Sequence, residues 1–462
     1  MSQPRTSAAP PAPSIRAGTA PAAPTGALAT APTAAPPAPR EQVLDTPRQL
    51  RRLTSLLILL GVLFGVIGAL VFAGLAFALD RAESNTAQLI RVQNIQTNLL
   101  SADATATSAF LVGGLEPPAQ RAAYDQAIAT TTQLVAAASD AQPADARALS
   151  VLNQDVLDYA VLIEQARANN RQGFPVGAQY LRNASSSLRA DALPILDNLV
   201  SANATRAADA MSLRAAYIFY VLGLLALAGL VAAMVSVARR FKRRVNVGLA
   251  VATLVVFLTW VAGSVALAST AVSVGRVQTG VFSSVNAAAA ARIQANNAKS
   301  NESLTLIARG SGASFEKAWS ASAQQVDDRI GGLPRDSLGT AWSRYKATHL
   351  QIRKLDDGGN WDGAVRLATG GGATSANAVF ADFDQQATRY LTSVSNATSS
   401  GLGERKPLLV VLAVLTLAAG LVAALLARWG VAARLKEYRC ARPAGPDRRS
   451  ARSWPRCCSP PC

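Results

Sequence analysis

The chain has 462 residues, with 45 Lys and Arg against 28 Asp and Glu, giving a formal net charge of +17. Half of its residues are hydrophobic, few are aromatic, His349 is the single histidine, and all four cysteines fall between Cys440 and Cys462. This composition excludes a His/Cys metal site, a Ser-His-Asp triad and a disulfide framework in any folded domain, and its apolar content argues against a soluble basic nucleic-acid binder.

Residues 1–52 begin with 40 residues holding 13 Ala and 10 Pro, a composition that cannot bury a core and reads as a disordered tail. Four uncharged apolar runs follow, at 53–79, 216–238, 245–269 and 407–427. Each is long enough to cross a hydrocarbon layer of about 30 Å as a helix. The first run is too long and begins too late for a cleaved signal peptide. Of the +17, all but one unit lies in 1–52, in the loop 239–244 and beyond residue 427. By the positive-inside rule both termini and that loop are cytoplasmic, and 80–215 and 270–406 lie outside. The expected location is a multi-pass cell-membrane protein, with its charge set by topology.

The segment 80–215 predicts four helices. Val92, Ile95, Leu99, Ala102, Ala106 and Ala109 alternate at three- and four-residue steps, as a coiled-coil seam does. Gly113-Gly114 stops that helix and Pro117-Pro118 starts the next. Tyr124 to Ala138 and Leu149 to Ala166 give the second and third seams. The fourth carries Leu181, Leu188, Ala192, Ile195, Leu199 and Ala202, with Pro194 expected to kink it.

Between the second and third spans stands Arg239-Arg240-Phe241-Lys242-Arg243-Arg244. These cations meet anionic headgroups and fix topology, and they offer a docking site for an acidic patch on a cytosolic partner. The loop is too short to hold a domain. In the first span Gly61-x-x-x-Gly65 forms a small-residue face that suits helix packing within the chain or in a homodimer.

The segment 270–406 reads as a second copy. Asn94-Ile-Gln-Thr-Asn98 aligns with Arg292-Ile-Gln-Ala-Asn296, and the turn Gly173-Phe174-Pro175 with Gly359-Asn360-Trp361. The fold class expected is therefore all-α: four transmembrane helices with two extracytoplasmic four-helix bundles related by internal duplication. The first helix of the second bundle is unusually polar, with Asn296, Asn297 and Asn301 on or beside its seam. Buried Asn can fix register or a partner contact, or line a small-molecule site.

No nucleotide loop, nucleophile elbow or metal spacing is present, so no enzyme activity and no cofactor are expected. His349, between Lys346 and Arg353, reads as exposed filler. The paired acids Asp327-Asp328 and Asp356-Asp357 read as solvated surface. The last 22 residues, rich in Arg, Pro and Cys, read equally as a native tail or as a non-native, out-of-frame end.

The stretch from Arg91-Val-Gln-Asn-Ile-Gln-Thr-Asn98 through Val112-Gly-Gly-Leu-Glu-Pro-Pro118 resembles the first ectodomain of the GlnX family of actinobacterial membrane proteins. The four spans, the loop 239–244 and Ala433-Arg-Leu-Lys-Glu-Tyr-Arg439 are similar too. The resemblance implies a non-enzymatic relay. An extracytoplasmic amino-acid-binding lipoprotein would sense glutamate, glutamine or aspartate, and the signal would reach a cytosolic Ser/Thr protein kinase, protein kinase G. Membrane lipid would be the remaining partner, and no nucleic acid is implied. Two other readings stay open: a sensor binding a small molecule directly in its ectodomains, and a structural or transport accessory protein.

Overall fold

A computed structural model describes residues 46–112, 115–241, 246–333 and 336–439. The Ala/Pro tail up to residue 45, Gly113-Gly114, Lys242, Arg243, Arg244 and the Cys-containing end 440–462 lie outside the described residues.

Helix α1 runs Thr46–Val112 without a break. No proline interrupts it after Pro47, and its 67 residues make a rod about 100 Å long at the usual rise per residue. Helix α2 (Pro118–Ala141) starts on a proline, whose missing N–H costs nothing at that position. A short turn at Pro143–Asp145 leads into α3 (Ala146–Arg171). Gly173, at φ +72°, then reverses the chain. Helix α4 (Val176–Ser187) continues through a π turn at Leu188–Ala192 into α5 (Leu193–Ala210). The π turn accommodates Pro194, which has no N–H and whose ring would collide with a carbonyl of a regular helix.

The described residues that follow are again helical. Helix α6 (Ala216–Phe241) is the second apolar run, and Asn246 caps α7 (Val247–Arg276) by accepting from the Leu249 N–H. Another π turn, Val277–Phe282, joins α7 to α8 (Ser283–Ile307). Then come α9 (Ala313–Ile330), α10 (Asp336–Asp357), α11 (Trp361–Thr369), α12 (Ala376–Gly403) and α13 (Lys406–Arg439). Among the described residues every regular element is helical. Four stretches, in α1, α6, α7 and α13, are long and apolar enough to cross a membrane.

The apolar stretches pack into one core with their leucines and valines also covering the outer faces. Leu70, Phe77, Leu225, Val265, Val414 and Leu425 are exposed there, which suits hydrocarbon rather than water. Gly61 and Gly65 are used within the chain. A Cβ on Gly61 would lie 3.0 Å from the Ala424 nitrogen, and one on Gly65 would lie 3.0 Å from the Gly420 Cα. Small residues therefore face small residues across α1 and α13, and the backbones approach closely. Just past the apolar run, Lys406 at the start of α13 reaches Asp80 at 2.8 Å and Glu83 at 2.6 Å on α1.

Above the apolar layer, the upper part of α1 packs with α2, α3 and α4–α5 around Ile95, Leu99, Leu152, Tyr159 and Leu188. The seams expected on α1 and α3 are buried. On α5 the register differs. The π turn inserts an extra residue, so Leu196 and Asn203 face the core and Ile195 and Ala202 are only half-buried. A second core gathers Trp342, Tyr345, Phe380 and Phe383 with residues of α8. Ile293 of α8 belongs to the first core and Leu111 of α1 to the second, so α1 and α8 lie side by side at the centre.

Replacing Gly420 with Leu forces α13 off α1 and is expected to lower stability by about 1–3 kcal/mol, the usual cost of overpacking. Gly74→Leu serves as control, because nothing lies within 4 Å of a Cβ there. Thermal unfolding in detergent reads the difference; equal effects of the two substitutions would contradict the α1–α13 packing.

Candidate functional site

The central pair of helices is buried on nearly all faces, and that forces polar side chains into the interior. Asp103 on α1 has 0% exposure. Its Oδ1 accepts from the Ser185 hydroxyl at 2.6 Å and faces the Tyr159 hydroxyl at 3.5 Å. Its Oδ2 accepts from Ser300 of α8 at 2.6 Å and pairs with Arg189 at 3.1 Å. Arg189 sits on the π turn and also donates to Ser300 Oγ, at 3.0 Å. Burial, with Asp103 adding to it, pushes the Tyr159 phenol well above its ordinary pKa, so it stays protonated and can only donate to the carboxylate. One carboxylate thus holds α1, α3, α4, the π turn and α8 together.

Two further bonds cross the same seam. Gln93 donates to Asn286 at 3.1 Å, and the Asn377 amide donates to Ser108 at 3.0 Å. Nearer the apolar layer, buried Asp145 accepts from Gln88 at 3.2 Å, Asn203 at 2.7 Å and Arg206 at 2.8 Å. Both acids use the same device: a carboxylate taken out of water is tolerable only with several donors and a cation beside it.

His349 corrects the sequence reading. It is fully buried, and its ring stacks on Trp319 at 3.6 Å and 9°. Nδ1 lies 3.0 Å from Glu302 and Nε2 3.2 Å from Glu316. Flanking charges made the segment look solvated, whereas in three dimensions Glu302 of α8 and Glu316 of α9 converge on it. Glu302 also takes Lys299 at 2.6 Å, and Glu316 is 3.4 Å from Arg353. Burial pushes the His349 pKa down, but hydrogen bonds to the two carboxylates outweigh it and the net shift is upward. With both ring nitrogens facing acceptors, the imidazolium is the form that satisfies them. For Glu302, burial pushes up but Lys299 and His349 prevail, and its pKa falls to about 2. Asp356 and Asp357 both pair with Arg353; Asp357 is exposed, as the sequence reading expects, whereas the Asp356 side chain is largely covered.

The Asn residues singled out from sequence lie in this region but do not form one site. Asn296 donates to the Arg292 carbonyl and Asn301 to the Asn297 carbonyl, each within its own helix. Asn297 Oδ1 is buried without a partner among the described residues. Arg239 and Arg240 end α6, far in sequence from this polar seam. Of this group only Ser300 is singled out by the sequence, as a polar residue on the α8 seam with Asn297; Asp103, Ser185 and Arg189 are not. An acid inside a run of seam alanines, Ala102-Asp103-Ala104, was the available signal.

At the end of the first bundle away from the apolar layer, a cavity of about 230 Å³ is lined by the last turns of α1 and α3, the start of α2, and Leu181 of α4. A groove at the matching end of the second bundle is lined by Glu316, Arg353 and Trp361. Arg167 lies over the Tyr124 ring at 4.1 Å in the first, and Arg309 over Trp361 at 3.9 Å in the second.

Residues 78–212 match the family described as an actinobacterial sensor domain. The match begins where α1 leaves the apolar layer and ends after α5, so it covers Asp103, its partners in the first bundle and the 230 Å³ cavity. It supports an actinobacterial sensor protein with a signalling role. No curated protein and no solved structure matches the chain.

Two outcomes test the site. Asp103→Ala leaves Arg189 without its counter-charge and is expected to cost about 3–5 kcal/mol, against about 1.5–3 kcal/mol for Ser300→Ala, which removes the bonds to Asp103 and from Arg189 but leaves those two charges paired. The raised His349 pKa contributes stability that is complete below the ordinary imidazole value of 6.5 and is lost as pH rises through the shifted value. The lowered Glu302 pKa contributes stability that is present above 4.5 and lost as pH falls through about 2. Melting temperature measured from pH 6 to 9 should therefore fall in the native protein and be flatter in His349→Gln; parallel curves would refute the buried imidazolium.

Proposed function

We propose that the chain is a non-enzymatic transmembrane relay in the cell membrane, with both termini and the loop 239–244 cytoplasmic. The observation that carries this reading is the Asp103–Ser300 link. It joins α1 to α8, and each of these runs from an apolar stretch into a bundle, α8 through the π turn after α7. A change in how the bundles sit against each other has to repack this link or move both helices. A packed polar seam offers discrete arrangements, not a continuum of them.

In this reading an extracytoplasmic amino-acid-binding lipoprotein reports glutamate, glutamine or aspartate by binding the bundles preferentially in one arrangement. The ends of α6 and α13 carry the change inward, where Arg239, Arg240, Lys242, Arg243 and Arg244 meet a cytosolic Ser/Thr protein kinase. The recurring order of span, bundle helices and span, in α1 to α6 and again in α7 to α13, supports an internal duplication of one span–bundle–span unit, although the π segments fall at different places, inside the fourth bundle helix of the first half and between span and bundle in the second. Because Gly61 and Gly65 pack on α13, a homodimer would use another face.

The experiment is co-purification with the lipoprotein, with and without amino acid, alongside kinase-substrate phosphorylation in cells. Asp103→Asn, which keeps shape and removes charge, is expected to retain lipoprotein binding but to lose the amino-acid-dependent change in phosphorylation. Phosphorylation that is unaltered when the whole protein is deleted would refute the relay.

A further inference from the structure

The 230 Å³ cavity of the first bundle has a composition unlike the seam beneath it. The α1 seam narrows from Val92, Ile95 and Leu99 to Ala106 and Ala109, and α3 contributes Ala166 opposite. Small side chains where leucines would otherwise meet leave a space with an apolar floor, closed below by Ile163 and Leu181. At roughly 30 Å³ for each water-sized group, it has room for about eight non-hydrogen atoms.

The rim is cationic. Of the charged side chains lining the cavity, three are arginines, Arg121, Arg167 and Arg171, and one, Glu116, is an acid. Arg167 is 11% exposed and grips Glu116 through two bonds, Nε to Oε2 at 2.8 Å and Nη2 to Oε1 at 2.9 Å. This is the two-pronged geometry by which a guanidinium recognises a planar carboxylate. Arg121 is engaged by Asp125 at 3.1 Å and by Glu164. Arg171, exposed at the end of α3, makes no ion pair among the described residues. Arg167 also pairs with Glu164 through Nη1 at 2.7 Å, which leaves its Nε and Nη2 edge to Glu116. The cavity thus presents an apolar pocket, one unpaired guanidinium and a second guanidinium whose two-pronged edge is filled by a carboxylate from the chain itself.

We propose that this cavity binds a small organic carboxylate with an unbranched apolar tail. The tail lies on the alanine floor, and the carboxylate is held by Arg171 and by Arg167, from which it displaces Glu116. The inference rests on the sensing role of residues 78–212 and is independent of the lipoprotein and kinase. An amine is disfavoured by the three arginines, and a polar dicarboxylate would leave its second charge against the apolar floor.

The test uses the full chain in lipid nanodiscs with hexanoate, which has eight non-hydrogen atoms, and with hexanol, hexylamine and glutamate as probes. Hexanoate is expected to bind saturably and to raise the melting temperature, as any ligand selective for the folded state does. The other three should bind at least tenfold more weakly. Ala109→Leu fills the cavity without touching a charge and should abolish binding, Arg171→Ala should weaken it at least fivefold, and Glu116→Gln should tighten it several-fold by removing the resident competitor. Equal binding of hexanol, retained binding in Ala109→Leu, weaker binding in Glu116→Gln, or no saturable binding of hexanoate would each overturn the proposal. None of these results bears on phosphorylation inside the cell, so the relay and the ligand site fail separately.

Discussion

A carboxylate with no access to water governs how the two halves of this protein meet. Asp103 stands where α1 and α8 pack with neither helix showing a free face. An apolar residue there would let the helices slide or rotate with little penalty. A charge does not, because each donor it would lose leaves an unsatisfied group in a poor dielectric. Ser185, Tyr159, Arg189 and Ser300 come from different elements, so their convergence specifies one arrangement of the bundles. The π turn has a part in this: it carries Arg189 and lets α4 pass into α5 despite Pro194.

The second bundle solves a related problem with more charge. Lys299, Glu302, His349, Glu316 and Arg353 form a chain of alternating sign from the α8 interior to the groove at the bundle's end. Lys299 neighbours Ser300, so the two polar systems are adjacent on α8. Buried ion pairs are weak evidence for stability, since apolar residues of equal size often do as well. Their retention along one helix, beside the link to the first bundle, is better understood as setting the relative position of the helices.

Much of this fold is legible in the residues. Uncharged runs of twenty or more identify the four stretches long and apolar enough to cross a membrane, and the three- and four-residue spacing of Val92 to Ala109 and Leu149 to Ala166 identifies two core faces. Departures occur where a local rule meets a tertiary cause. Ile195 and Ala202 lose the core to Leu196 and Asn203 because a π turn cannot be read from spacing alone. His349 looks exposed because its sequence neighbours are charged, yet the partners that bury it lie on α8 and α9. Asp103 is invisible as a site because its partners are up to 197 positions away, and a lone acid among alanines carries no pattern.

The pairing of Gly61 and Gly65 with Gly420 and Ala424 has a consequence for assembly. It joins an early apolar stretch to one made some 360 residues later. Until α13 emerges, the glycine face of α1 lacks the partner that fits it, and Asp80 and Glu83 lack the cation that later reaches them. The apolar layer is therefore closed by α13, after the residues of both bundles have been made. A chain cut short before α13 would hold every residue of the sensor segment and still lack the contact that completes the ring of spans. The order of synthesis thus acts as a checkpoint: only a chain that has reached α13 can close its apolar layer.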